Sequence, residues 1–162
     1  MRIYGYPPVV SDECRLLIVG SMPSVESLKA GFYYAHPRNA FWRMLSDCFE
    51  TPLPQSIDDK KRLLLDNRLA LWDVYASCER EGSLDADIRA GEINDFASLF
   101  QSFPHLRAVL ANGACAFNSF PKHMLGGREI KKMPSTSPAY TLPYAKKLAL
   151  WREAVPEIIK EK

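Results

Sequence analysis

Cysteine and histidine are scarce in this chain of 162 residues, and what there is of them is scattered. The four cysteines, Cys14, Cys48, Cys78 and Cys115, include no C-x-x-C pair and have no histidine at zinc spacing. That argues against a zinc or iron–sulfur centre, so no metal and no other cofactor is expected. Reduced, mostly buried thiols are the expected state. No G-x-G-x-x-G or P-loop signature is present, which argues against the common phosphate-cradling nucleotide folds. No apolar run reaches membrane-spanning length and no secretory pattern is recognisable, so the cytoplasm is the expected compartment and no membrane partner is expected. A dominant charge is lacking too. The net charge is +2 with pI near 8.3, mild for a protein that coats a duplex but compatible with a small basic footprint around one site. Repeats, low-complexity tracts and linkers are absent, and the length suits one domain, 1–162, with a proper core.

What is present is an alternation of short apolar runs and amphipathic stretches. Leu16–Val19, ended by Gly20, reads as a strand buried on both faces. Phe41–Phe49 reads as a helix with Phe41, Met44, Leu45 and Cys48 on one face. After Pro52 and Pro54 a second helix starts, with Ser56 or Asp58 as N-cap and Leu63, Leu64 and Leu65 in its body. Leu69–Tyr75 predicts a second strand and Ser77–Ser83 a loop at a sheet edge. Asn94–Phe103 predicts a helix capped by Asn94 and stopped by Pro104. Leu106–Ala111 is a third strand, Asn112–Gly113 turns into a helix running through Phe120, and Arg128–Met133 is a fourth strand. Pro143–Lys160 closes as an amphipathic helix with Ala145, Leu148, Trp151, Val155 and Ile158 or Ile159 inward. This order predicts an α/β fold: a mostly parallel four-stranded sheet with helices on both faces. The loops after Gly20, Asp73 and Met133 then leave one edge of the sheet and can converge there.

The segment Gly31–Trp42 (Gly-Phe-Tyr-Tyr-Ala-His-Pro-Arg-Asn-Ala-Phe-Trp) crowds aromatics around a histidine, an arginine and an asparagine. A flat heterocycle needs a stacking face and a hydrogen-bonding reader, so this loop suggests a pocket for a nucleobase.

Together with Gly20–Ser24 and with Met133–Pro138 (Met-Pro-Ser-Thr-Ser-Pro), that segment resembles the uracil-DNA glycosylase superfamily. The Leu71-Trp-Asp-Val stretch, with Ala76–Asp85 after it, looks most similar to family 6, the hypoxanthine-DNA glycosylases. Most of the superfamily carries an Asp or Asn just before the proline of the first motif, where it orients the attacking water. Here Met22 stands at that position, and a thioether makes no strong hydrogen bond to water. The resemblance to family 6 places the catalytic asparagine later, at Asn39.

The resemblance implies a monofunctional glycosylase that flips a deaminated base, hypoxanthine first, out of duplex DNA and leaves an abasic site. The implied partner is double-stranded DNA carrying a damaged base, bound by a monomer without a cofactor. A uracil or G/U mismatch glycosylase and a non-catalytic damage-binding module are the alternatives on the same fold. Gly20, Ser21, Tyr34 and Asp73 are the implied base-binding residues, with Tyr34 stacking on the base. Asp73 has the competing use of capping the turn after its strand, and Asn39 that of an Asx-type loop former. Ser135, Thr136 and Ser137 offer hydroxyls and amides to phosphate, with Lys132 nearby as a cation. Ala139 is small where relatives insert a wedge, which leaves Tyr140 as the candidate for that task. His36 either braces its loop or protonates a leaving purine, and bracing is the better reading.

Overall fold

The computed structural model describes the backbone of residues 2–159 and the side chains of residues 2–155. In chain order the elements are β1 (Arg2–Tyr4), β2 (Leu16–Gly20), α1 (Val25–Ala30), α2 (Phe41–Phe49), α3 (Ile57–Asp66), β3 (Leu69–Asp73), β4 (Tyr75–Glu79), β5 (Arg89–Ile93), α4 (Phe96–Ser102), β6 (Ala108–Asn112), α5 (Ala114–Ser119), β7 (Glu129–Met133) and α6 (Tyr144–Ile159). Four strands form a parallel sheet in the order β3-β2-β6-β7. The central β2 is buried along its whole length, as its unbroken apolar run requires.

Successive residues of a strand point to opposite faces, so each strand feeds two cores. Leu16, Ile18, Leu69, Leu71 and Leu110 pack on one face beneath α2, α3 and α6. Leu17, Val19, Ala70, Val109 and Ala111 pack on the other, against Phe96, Leu99 and Phe100 of α4 and Ala116 of α5. This is the α/β architecture that the alternation predicts. The register places Gly20 opposite Asp73, and Asn112 opposite Met133, in one row at the carboxyl ends of the strands.

Four details differ from the sequence reading. Beyond Asp73 the chain bends at Val74 and continues as β4, so Ser77–Glu79 lies in a strand rather than a loop. With β1 and the exposed β5 it makes a small antiparallel sheet, order β1-β4-β5. No local signal marks it, because β1 pairs with a strand more than seventy residues away, Ile3 facing Cys78. Second, α4 is capped by Asp95, whose carboxylate accepts from the Ser98 amide; the Asn94 amide group instead donates to the Asp73 carbonyl at 2.7 Å. Third, α1 begins at Ser24 inside the stretch read as loop, with the Ser24 hydroxyl accepting from the Ser27 amide. Fourth, Ala145 is exposed; the inward stripe of α6 is Lys147, Leu148, Trp151, Ala154 and Val155, and Ile158 and Ile159 lie beyond the described side chains.

Candidate active site

Where β2, β3 and β6 end, a cleft of about 290 Å³ opens. That is near the lower end for ligand sites, which start at about 300 Å³, and suits a small flat molecule. Gly20, Ser21, Tyr34, Asn39, Asp73, Ser135, Thr136, Ser137 and Tyr140 all line it. The exposed Lys132 does not; it sits on the edge strand β7 outside the cleft.

At the floor, close approach depends on Gly20. A Cβ there would lie 2.4 Å from the Tyr34 hydroxyl and 2.7 Å from Asp73 Oδ1, so any side chain would drive both polar groups away. The Tyr34 ring is stacked on Phe41 at 4.2 Å between centroids, and Tyr34 has φ 53, a left-handed backbone that is unusual for a bulky residue. Its hydroxyl and Asp73 Oδ2 are both buried without a hydrogen-bond partner. Such orphans cost roughly 1–3 kcal/mol each and are rare unless a ligand completes them. Burial first, and the Asp85 carboxylate second, push Asp73 from an ordinary 3.8 up to about 7, against the opposing pull of Arg80. Near neutral pH Asp73 can therefore keep a proton and donate as well as accept. Burial, and then Asp73, raise Tyr34 well above the usual phenol range, which keeps it a neutral donor.

Asn39 stands at the entry to α2. Its Oδ1 accepts from the Phe41 amide at 2.9 Å, so the oxygen is engaged in an Asx-type cap and identifies Nδ2 as the group free to turn toward the cleft. The His36 imidazole accepts through Nδ1 from the Arg38 amide, which is the bracing role.

The loop after β7 is pinned from three sides. Asn112 Oδ1 accepts from the Thr136 amide and its Nδ2 donates to Thr136 Oγ1, both at 3.0 Å. The Ala40 amide donates to the Thr136 carbonyl, which ties this loop to the start of α2. From α6, Trp151 Nε1 donates to the Pro134 carbonyl and Lys147 Nζ to the Ser137 carbonyl. Gly113 has φ 100, and a Cβ on it would sit 3.1 Å from Ser135 Cβ, so the loop packs on a position open only to glycine. Lys147 Nζ also lies 5.4 Å from the Tyr140 ring, which is half exposed at the rim. Arg128, just before β7, turns inward: it donates to the Leu106 and Leu125 carbonyls and stacks on Phe100 at 4.2 Å.

Two cleft residues escape sequence reasoning. Asn112 reads as half of an Asn-Gly turn, and its clamp on Thr136 spans 24 residues. Asp85 lies in the exposed connection between β4 and β5, on a single 3₁₀ turn (Asp85–Asp87), and its Oδ1 accepts from Ser21 Oγ at 2.6 Å. The only sequence signal for Asp85 is that the family-like stretch Ala76–Asp85 ends on it.

Comparison with known proteins matches residues 7–159 to the model of the uracil DNA glycosylase superfamily. A hypoxanthine DNA glycosylase of Methanosarcina acetivorans is 40% identical over 136 residues, which cover 83% of this chain and 86% of that protein. One from Methanosarcina barkeri is 37% identical over 156 residues, covering 95% and 98%. A solution NMR structure from Methanosarcina acetivorans, provisionally named a uracil DNA glycosylase, superposes with a TM-score of 0.87 at 34% identity, covering 99% of this chain and 100% of that one.

Proposed function

This chain belongs to the uracil DNA glycosylase superfamily, and from that premise we propose that it is a monofunctional DNA glycosylase that releases hypoxanthine from damaged duplex DNA. The observation that carries the reading is the pair of buried polar side chains, Tyr34 and Asp73, that meet over Gly20 at the floor of a base-sized cleft, with Tyr34 Oη and Asp73 Oδ2 left unpartnered. Hypoxanthine presents a carbonyl, a ring N–H and ring nitrogens along one edge, so a group that both donates and accepts suits it.

The base leaves the helix stack at a cost of a few kcal/mol, which is least for a mispaired inosine. Tyr34 supplies a ring against the flipped base, itself backed by Phe41. Protonated Asp73 donates to the departing base and so stabilises the negative charge that develops there. Asn39, fixed through Oδ1, directs its Nδ2 donor to the base edge. Ser135 and Ser137 hold the flanking phosphates, and Tyr140 fills the space the base leaves. Thr136, expected beside them, is buried with its amide and hydroxyl spent on Asn112, so it holds the loop rather than the phosphate. Lys132 contributes the non-specific attraction of a surface cation. No cofactor enters these steps. Among the described residues no cluster of three or more His, Cys, Asp or Glu side chains could hold a metal, and no helix is long and apolar enough to cross a membrane.

The test is a panel of duplexes carrying inosine, uracil or xanthine opposite each normal base, followed by alkaline cleavage at abasic sites. Inosine is expected to be cut fastest, with EDTA making no difference. Binding without cleavage of any duplex would leave only a damage-binding module.

A further inference from the structure

Hydrolysis of a glycosidic bond requires an acceptor for the attacking water, and the cleft offers few. Met22 lines it with a thioether. The carboxamide oxygens of Asn39 and Asn112 already accept from the Phe41 and Thr136 amides, and a neutral carboxamide cannot take up the proton the water gives away. Ser24 Oγ donates to Ser27 Oγ and accepts from the Ser27 amide, and Ser83 Oγ accepts from the Val25 amide. Asp73 and Asp85 are the two carboxylates lining the cleft. Asp73 is buried on the floor, whereas Asp85 is exposed on the wall above Ser21.

We propose that Asp85 is the catalytic carboxylate of this site, holding the nucleophilic water together with Ser21 and facing the cationic sugar. The 2.6 Å bond consumes the Ser21 proton, so Ser21 Oγ presents its lone pairs, not a donor, to whatever enters. A water seated over this pair donates to Ser21 Oγ and to the carboxylate and turns its own lone pair toward C1′. The anhydride-free balance is simple. The C1′–N bond breaks with its electron pair leaving on the base, and the water oxygen bonds to C1′. One water proton passes to Asp85, and the base takes a proton from Asp73. Asp85 then returns its proton to solvent and Asp73 regains one, so the net change is addition of one water across the bond. An ionised carboxylate beside an oxocarbenium-like sugar also stabilises it directly. The task that Met22 cannot perform is thus supplied from a connection 64 residues away in the chain. Asp85 acts by its charge on Asp73 from β3, Tyr34 and Cys78 from β4, and lies within hydrogen-bonding reach of Cys115 from α5; burial and the Asp85 charge hold the Cys115 thiol above its ordinary value.

The assignment rests on the glycosylase reading, and the experiment separates the two. Single-turnover release from an inosine duplex is followed from pH 5 to 9 for the unaltered protein and for Asp85→Asn, Asp85→Glu, Asp85→Ala and Ser21→Ala, with binding to undamaged duplex and thermal melts alongside. Asp85→Asn is expected to slow release by about 100-fold or more, with melting and binding kept. Asp85→Glu recovers part of the rate, Ser21→Ala loses less than Asp85→Asn, and added formate speeds Asp85→Ala by about tenfold or more. A rate for Asp85→Asn within a few-fold of the unaltered protein overturns the proposal and leaves the glycosylase standing. So does a loss that follows lowered melting or binding and that formate does not restore. An unaltered protein that releases no base from any duplex removes the glycosylase reading itself.

Discussion

The two walls of the cleft are built in opposite ways. The wall after β7 is short and over-determined: the Thr136 side chain is almost fully buried, and bonds from β6, from the start of α2 and from α6 meet within Pro134–Ser137. The wall between β4 and β5 is longer and exposed throughout 81–87; the buried Arg80 anchors its start by donating to the Pro23 and Gly82 carbonyls, and beyond that it reaches the rest of the cleft through the Val25 amide on Ser83 Oγ and through Ser21 on Asp85. A phosphate grip works only if its donors are placed before the DNA arrives, since each bond formed by an ordered group avoids the entropy of ordering it. A wall that meets base and sugar has to admit a nucleotide rotating in, and few tertiary bonds allow it to give way. In the proposed function, grip and entry fall to different walls.

The largest effect expected from disturbing this arrangement is at Asn39, which lines the cleft at the entry to α2. Asn39→Asp keeps an oxygen for the Phe41 amide but removes the Nδ2 donor, and single-turnover release should fall by about 100-fold or more while duplex binding persists. Asn39→Ala removes both and should be worse. If Asn39→Asp retains full activity, Asn39 serves the rigid wall alone. Met22→Ala should cost far less than either.

Next comes the clamp. Asn112→Ala leaves the buried Thr136 side chain and amide without partners, and should cost about 2–4 kcal/mol in urea unfolding. It should weaken binding to undamaged duplex together with damaged, because the phosphate wall loosens as a whole. Weakened capture of the damaged duplex alone would mean that Asn112 reads the base.

The floor between the walls should show a pH signature. Asp73 is raised to about 7 in the folded protein against an ordinary 3.8. Folding therefore binds a proton between those values, and the stability contributed at low pH is lost as pH rises through about 7. Asp73→Asn removes that penalty. Its melting temperature should match the unaltered protein near pH 4 and exceed it at pH 8, by on the order of 5 °C, while base release drops. A constant difference across that range would mean that Asp73 is ionised throughout.

Smallest is Ser83→Ala on the exposed wall. Loss of one exposed hydrogen bond to the Val25 amide should shift stability by less than about 1 kcal/mol, yet raise hydrogen exchange across 81–87 and leave Pro134–Ser137 protected. Equal loosening of both segments would erase the contrast between the walls.

The amino-acid sequence by itself determines the parallel sheet and what it brings together. Apolar runs at Leu16–Val19 and Leu69–Trp72, punctuated by Gly20 and Asp73, carry their strand character locally, and right-handed crossovers then place the following loops at one edge. Hence the loops after Gly20, Asp73 and Met133 could be expected in one cleft from the strand order, whereas Ser21, Tyr34, Asn39 and Ser135–Ser137 are singled out within them by the resemblance to the superfamily. Four things are decided only by the tertiary structure: the small sheet of β1, β4 and β5, the clamp of Asn112 on Thr136, the inward turn of Arg128 and the placement of Asp85 on Ser21. Each is a polar contact or a pairing between segments some twenty to eighty residues apart. Such bonds leave no periodicity in the chain, because a hydroxyl, carboxamide or carboxylate looks the same in sequence whether it meets water or a distant partner. Burial patterns repeat along an element and can be read; a hydrogen bond is fixed by where two chains happen to cross.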